Sequence, residues 1–195
     1  MRPFVLTLVL CVAVPSPGAA QMTDLERERL VAHLEMTASW LIAELTDLSP
    51  AQLAFRRAPD TWSILEVLEH LVIVGPIYWD DLQRSVKGPP SGRNLAAGDA
   101  VILWYGINRS YRERALTSEN PRGDLRELAP GLAEYRKNHA RLLQYVRTTQ
   151  DDLRDRVVAR QGSDAYQWAL LISTHEQRHI LQIREIKADQ KFPGR

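Results

Sequence analysis

Residues 165–188, AYQWALLISTHEQRHILQIREIKA, decide how this chain is read. Trp168, Ile172, His175, His179, Gln182 and Ile186 recur at steps of four, three, four, three and four, which is one face of an α-helix. Apolar residues bracket the two histidines, so the stripe predicts imidazoles turned toward a core rather than toward water. Histidines four apart lie one turn above the other, and both can reach a single ion. Asp164 is a natural cap for this last helix.

The pair alone is weak, because a few scattered histidines produce that spacing by chance. Its weight comes from His70, which sits in a second stripe of Glu66, His70, Val74 and Ile77. A third imidazole from a facing helix completes a three-nitrogen site with an open position for water. The metal candidates are therefore His70, His175 and His179. The simpler reading of His70 is a hydrogen-bonded core histidine. Glu66 reads as a capping residue or as an acceptor that orients His70, and Gln182 as a polar end of the stripe or as a partner for bound water or substrate. Capping and solvation are the simpler readings of these two. His33 and His139 have no partner at ligand spacing. The five tryptophans fall at helical spacing and are assigned to the core.

His175-Glu176-Gln177-Arg178-His179 also matches H-E-x-x-H, in which the glutamate activates zinc-bound water. Proteases of that kind take a third ligand from downstream. Only sixteen residues follow His179, none of them His, and Glu185 lies off the histidine face. Glu176 itself points about 100° away from His175. A metalloprotease is disfavoured.

Punctuation divides the rest of the chain into helices. Leu30, Leu34, Leu41, Leu45 and Leu48 mark a first helix from about Thr23 to Asp47. A short segment starts at Ser49-Pro50 and ends at Ala58-Pro59-Asp60. Ser63 followed by Glu66 is a capping box, opening a second long helix to about Lys87 with a kink expected at Gly75-Pro76. Residues 87–98 read as a loop, Ala100–Leu116 as a third helix, and Pro130 opens a fourth to about Thr149. No stretch alternates convincingly with a period of two. Few long helices and no strands predict an all-α protein, an antiparallel four-helix bundle with a short additional helical segment.

At 195 residues, 45% hydrophobic and 25% charged, the composition suits one globular domain. Net charge is +1, and bases alternate with acids, as in Glu26-Arg27-Glu28-Arg29. That pattern marks solvated helix faces and excludes a nucleic-acid footprint. Residues 1–20 have the anatomy of a signal peptide: basic Arg2, an apolar run from Phe4 to Val14, helix-breaking Pro15 and Pro17, and small residues before Gln21. An uncleaved anchor or a misassigned start are the bland alternatives. Cleavage after Ala20 leaves a domain over 21–195, periplasmic or secreted, with no stable membrane span. It also removes Cys11, the only cysteine, so disulfides and thiolate ligands are excluded from the mature chain.

Two blocks together resemble the DinB/YfiT-like superfamily of metal-binding four-helix proteins. One runs from Leu48-Ser49-Pro50 to His70-Leu71, with Trp62-Ser63, Glu66 and His70 as its recurrent part; the other is His175-Glu176-Gln177-Arg178-His179-Ile180-Leu181-Gln182. The resemblance implies a bundle whose three histidines, here His70, His175 and His179, bind a divalent ion, commonly zinc or nickel. It further implies thiol-dependent transferase or isomerase chemistry on a small molecule. The substrate is unassigned, and a homodimer is left open. An export signal argues against a cytosolic thiol cofactor. The function expected is a metal-dependent transferase or hydrolase; the alternatives are an exported metal or small-ligand carrier and a bundle that uses its ion as a staple.

Overall fold

A computed structural model describes residues 22–93 and 95–194. The proposed signal peptide and Cys11 lie outside them. Four long helices dominate: α1 (Asp24–Leu45), α3 (Ile64–Lys87), α5 (Leu128–Thr148) and α6 (Ala165–Lys187). Two short helices, α2 (Pro50–Ala54) and α4 (Asp99–Ile107), fill the connections. α1 packs on α5 and α6, α3 packs on the same two, and α4 lies along α6. No helix among the described residues is long and apolar enough to cross a membrane.

Local chemistry explains the helix starts. Reciprocal capping boxes form at Thr23–Glu26, Ser49–Gln52, Ser63–Glu66 and Asp164–Gln167, each satisfying backbone N–H groups that no helical carbonyl can reach. α3 continues through Pro76 to Lys87. α1 closes where Asp47 takes a left-handed φ of 58°.

Two features differ from the sequence reading. The helix expected to reach Leu116 stops at Ile107, because Arg178 of α6 donates to the carbonyls of Tyr105, Asn108 and Tyr111 and so takes over the end of α4. The chain from 108 to 116 is then an irregular strap. A small antiparallel hairpin, β1 (Val157–Val158) with β2 (Ser163–Asp164), joins α5 to α6. Strands of two residues are too short to produce an alternating pattern.

The core is split. Leu30, Leu34, Val74, Leu82, Val146 and Trp168 belong to one apolar cluster. Leu41, Leu45, Ile64, Leu68, Ile180 and Ile183 belong to a second. Along α1 the change from one to the other falls at Thr37, and along α6 it falls across Ser173–His179, all polar and all buried except the half-buried Gln177. A polar layer therefore crosses the middle of the molecule.

Away from that layer, Arg154 ties three helix starts together. Its guanidinium, 6% exposed, pairs with Glu26 of α1, Asp99 of α4 and the α6 cap Asp164, and lies 3.8 Å from the Tyr166 ring centroid. The three carboxylates hold its pKa above the ordinary arginine value against the opposing effect of burial. Removing one partner from such a cluster strands charge away from water. Arg154→Met is expected to lower unfolding free energy by about 3–5 kcal/mol, read as a reduced urea midpoint at pH 7.

Candidate metal centre

His70 from α3 meets His175 and His179 from α6, and all three are buried. One ring nitrogen from each lies within 4.8 Å of the others. The Nε2 atoms of His70 and His175 are 3.2 Å apart, those of His175 and His179 3.1 Å. Tetrahedral coordination at zinc–nitrogen lengths separates ligand nitrogens by about 3.3 Å. The two pairs that share His175 have that spacing.

Proton accounting points the same way. His70 Nδ1 lies 2.7 Å from the Glu119 carbonyl oxygen, which can only accept, so Nδ1 carries the proton and Nε2 presents a lone pair. His179 Nδ1 donates to Gln182 Oε1 at 2.9 Å, with the same consequence. Two lone pairs thus converge on His175 Nε2, which holds at most one proton. Burial, with nearby cationic groups, keeps the imidazoles neutral: it lowers His70, holds His175 down at about 3, and takes His179 well below the ordinary range. Three neutral imidazoles with their Nε2 atoms turned inward form a donor set that a divalent cation satisfies.

The surroundings hold each ring. Trp62 packs over His70 and His179, with ring centroids 4.9 and 6.2 Å away. Glu119, whose carbonyl orients His70, has a buried carboxylate paired with Arg160 of the hairpin. Arg160 also reaches Asp81 of α3 and lies over the Tyr78 ring. Glu69, next to His70, accepts backbone N–H groups from Arg122, Gly123 and Asp124. The 119–124 loop is therefore pinned to α3 from both ends. Fixing an imidazole through its outer nitrogen in this way sets its tautomer and raises its basicity as a ligand.

The three histidines open onto a cleft of about 1130 Å³. Trp62 and Gln182 line it beside them, with α4 and the 108–116 strap on the far side. Gly106 lets α4 approach α6 closely: a Cβ there would meet Gln177 Oε1 at 2.8 Å and Thr174 Cβ at 2.9 Å. Arg109 and Glu185 form a bidentate pair on the cleft wall, both contacts at 3.0 Å. That pairing engages the only downstream acid weighed as a protease ligand.

Some assignments keep their simplest reading and others do not. Gln182 is the partner of His179, not a solvated stripe end. Glu66 is a cap, bonded to Ser63 and Arg56, while His70 is oriented by the Glu119 carbonyl instead. Trp168 is core, but Trp104 and Trp40 are exposed and Trp62 belongs to the site. Sequence reasoning missed Glu119, Arg160 and Glu69, and a backbone carbonyl carries no residue-type signal at all. His33 and His139 take separate partners, Ser173 Oγ and the Leu34 carbonyl.

Glu176 faces away from the triad, into the polar layer. Its Oε2 accepts from Thr37 Oγ1 at 3.1 Å and Tyr135 OH at 3.2 Å. The base of an H-E-x-x-H protease has no counterpart here. The chain belongs to the DinB superfamily. The family model matches residues 33–183, a span that holds all three histidines. No curated protein and no solved structure matches the chain.

Burial raises the Glu176 carboxyl to about 8, more than its two hydroxyl donors lower it. In the folded chain it stays protonated where an unfolded glutamate, near 4.5, has ionised. Its stabilisation is complete below pH 4.5 and is lost as pH rises toward 8. Glu176→Gln removes this titration and preserves shape. The stability of the Gln variant relative to the wild type is expected to rise by about 3 kcal/mol between pH 5.0 and pH 7.5, measured by paired urea titrations.

Proposed function

We propose that His70, His175 and His179 bind one divalent ion, zinc or nickel, and that the protein is an exported metal-dependent transferase or hydrolase acting on a small molecule. The observation that carries this is the convergence of three histidine Nε2 atoms on the floor of an open cleft. A site built only to staple helices closes its coordination sphere with protein groups. Here three protein ligands face free space, which supports a reactive centre over a structural one.

A bound divalent ion supplies Lewis acidity, drawing the pKa of a coordinated water or thiol toward neutrality. The protein's own groups supply the rest. Glu119 and Gln182 hold the outer nitrogens of His70 and His179, so the rings are aimed before anything binds. Trp62 lies against two of the rings and limits water on that side. The scaffold is read as an antiparallel four-helix bundle, supported by the mutual packing of α1, α3, α5 and α6. The sequence anatomy of residues 1–20 supports export, and with no cysteine after Cys11 any thiol comes from a bound small molecule.

The chain beginning at Gln21, expressed with zinc and nickel supplied, is expected to retain one divalent ion per polypeptide by elemental analysis. His70→Ala should lose it while helical circular dichroism persists. Gln182→Leu should weaken metal affinity about 10–100-fold in a chelator competition. Retention of no ion by the unaltered chain would refute the proposal, and unfolding on metal removal would assign the ion to structure instead.

A further inference from the structure

The cleft has a second character that the histidines do not require. Val101 is 70% exposed, Trp104 59% and Leu116 57%, and all three line the same cleft as the triad. Tyr111, at 44%, lines it too. Val101 and Trp104 stand one turn apart on α4, while Tyr111 and Leu116 come from the strap that follows. An isolated exposed apolar residue is ordinary. Four on one wall, facing a cleft whose floor is a cluster of buried polar groups, form a patch that favours apolar cover.

Size and charge narrow what covers it. At about 1130 Å³ the cleft is at the upper end of small-ligand sites, far larger than a water and a few polar atoms need. Arg112 and Arg114 flank Glu113 in the strap, between Tyr111 and Leu116, and all three line the cleft. Arg109 and Arg178 add positive charge nearby, although Glu185 and backbone carbonyls respectively occupy their donors. Arginines outnumber acids in the lining, six against four with Asp60, Glu113, Glu119 and Glu185 counted, so the cleft offers an apolar wall, a net positive rim and a cation-binding floor.

We propose that the ligand of this cleft is an amphipathic small-molecule anion. Its carboxylate, thiolate or similar head lies at the triad, and its apolar body lies along Val101, Trp104 and Leu116. The inference rests on the triad being a metal site and adds the substrate class. Each methylene drawn from water onto that wall tightens binding about fourfold. Affinity therefore follows chain length, which a site for a short polar substrate does not do.

The test uses zinc-loaded chain from Gln21 and two probes with the same metal-binding head, acetohydroxamate and octanohydroxamate, titrated calorimetrically. The longer probe is expected to bind at least about 100-fold tighter, a fraction of what full burial of six methylenes gives. Joint replacement Trp104→Ser and Leu116→Ser should bring the longer probe to within about threefold of the shorter one and leave the shorter one unchanged. Both positions are exposed, so the fold does not depend on them. Equal affinities in the unaltered chain overturn the inference while the metal site stands. Failure to load zinc removes the reading beneath it, and elemental analysis separates that case. A dimer in light scattering that the double variant dissolves assigns the patch to a second copy and also overturns the inference.

Discussion

α6 is enclosed by other elements, and its buried positions include Ser173, Thr174, His175, Glu176, Arg178 and His179. A buried polar side chain without a partner costs on the order of 1–3 kcal/mol, and a buried charge more. So many on one segment constrain everything packed around it. α1 answers with Thr37 and His33, α5 with Tyr135, α4 and its strap with the carbonyls that receive Arg178, and α3 with His70. The packing of the apolar clusters supplies bulk stabilisation. Partners for α6 decide which helix lies where.

Among the described residues, the inner side of the triad finds no protein partner outside the triad itself. Glu176 finds two hydroxyl donors and stays protonated, and Arg178 finds carbonyls. The three inward nitrogens find only each other. The outer nitrogens of His70 and His179, by contrast, are tied to the Glu119 carbonyl and to Gln182. A site rigid on its outside and unsatisfied on its inside is suited to hold an ion without reorganising. The same rigidity extends outward through the Glu119–Arg160–Asp81 chain, so the small hairpin has a structural link to the centre.

Much of this was legible locally. The capping boxes at Ser63 and Asp164 mark where α3 and α6 begin, because both halves of each box lie within one turn. The two-stripe pattern brought His70 onto the list with His175 and His179, because helical periodicity puts a side chain on a face without reference to any other element. Other features were silent. Trp104 and Trp168 look alike in sequence, yet one is exposed and the other fully buried, since only the neighbouring helix decides. The helix continued past Ile107 on propensity until Arg178 claimed its carbonyls.

By itself, then, the amino-acid order determined the helical class, the extents of the long helices and the three imidazoles that face inward. These follow from interactions within a turn or two of chain. Only the tertiary structure decided that the three nitrogens meet, that a distant carbonyl sets the tautomer of His70, and that Glu176 turns away from them. Those outcomes depend on groups 40 to 140 residues apart being brought within hydrogen-bonding range. No local propensity encodes such distances, because burial and partner satisfaction are properties of the packed whole.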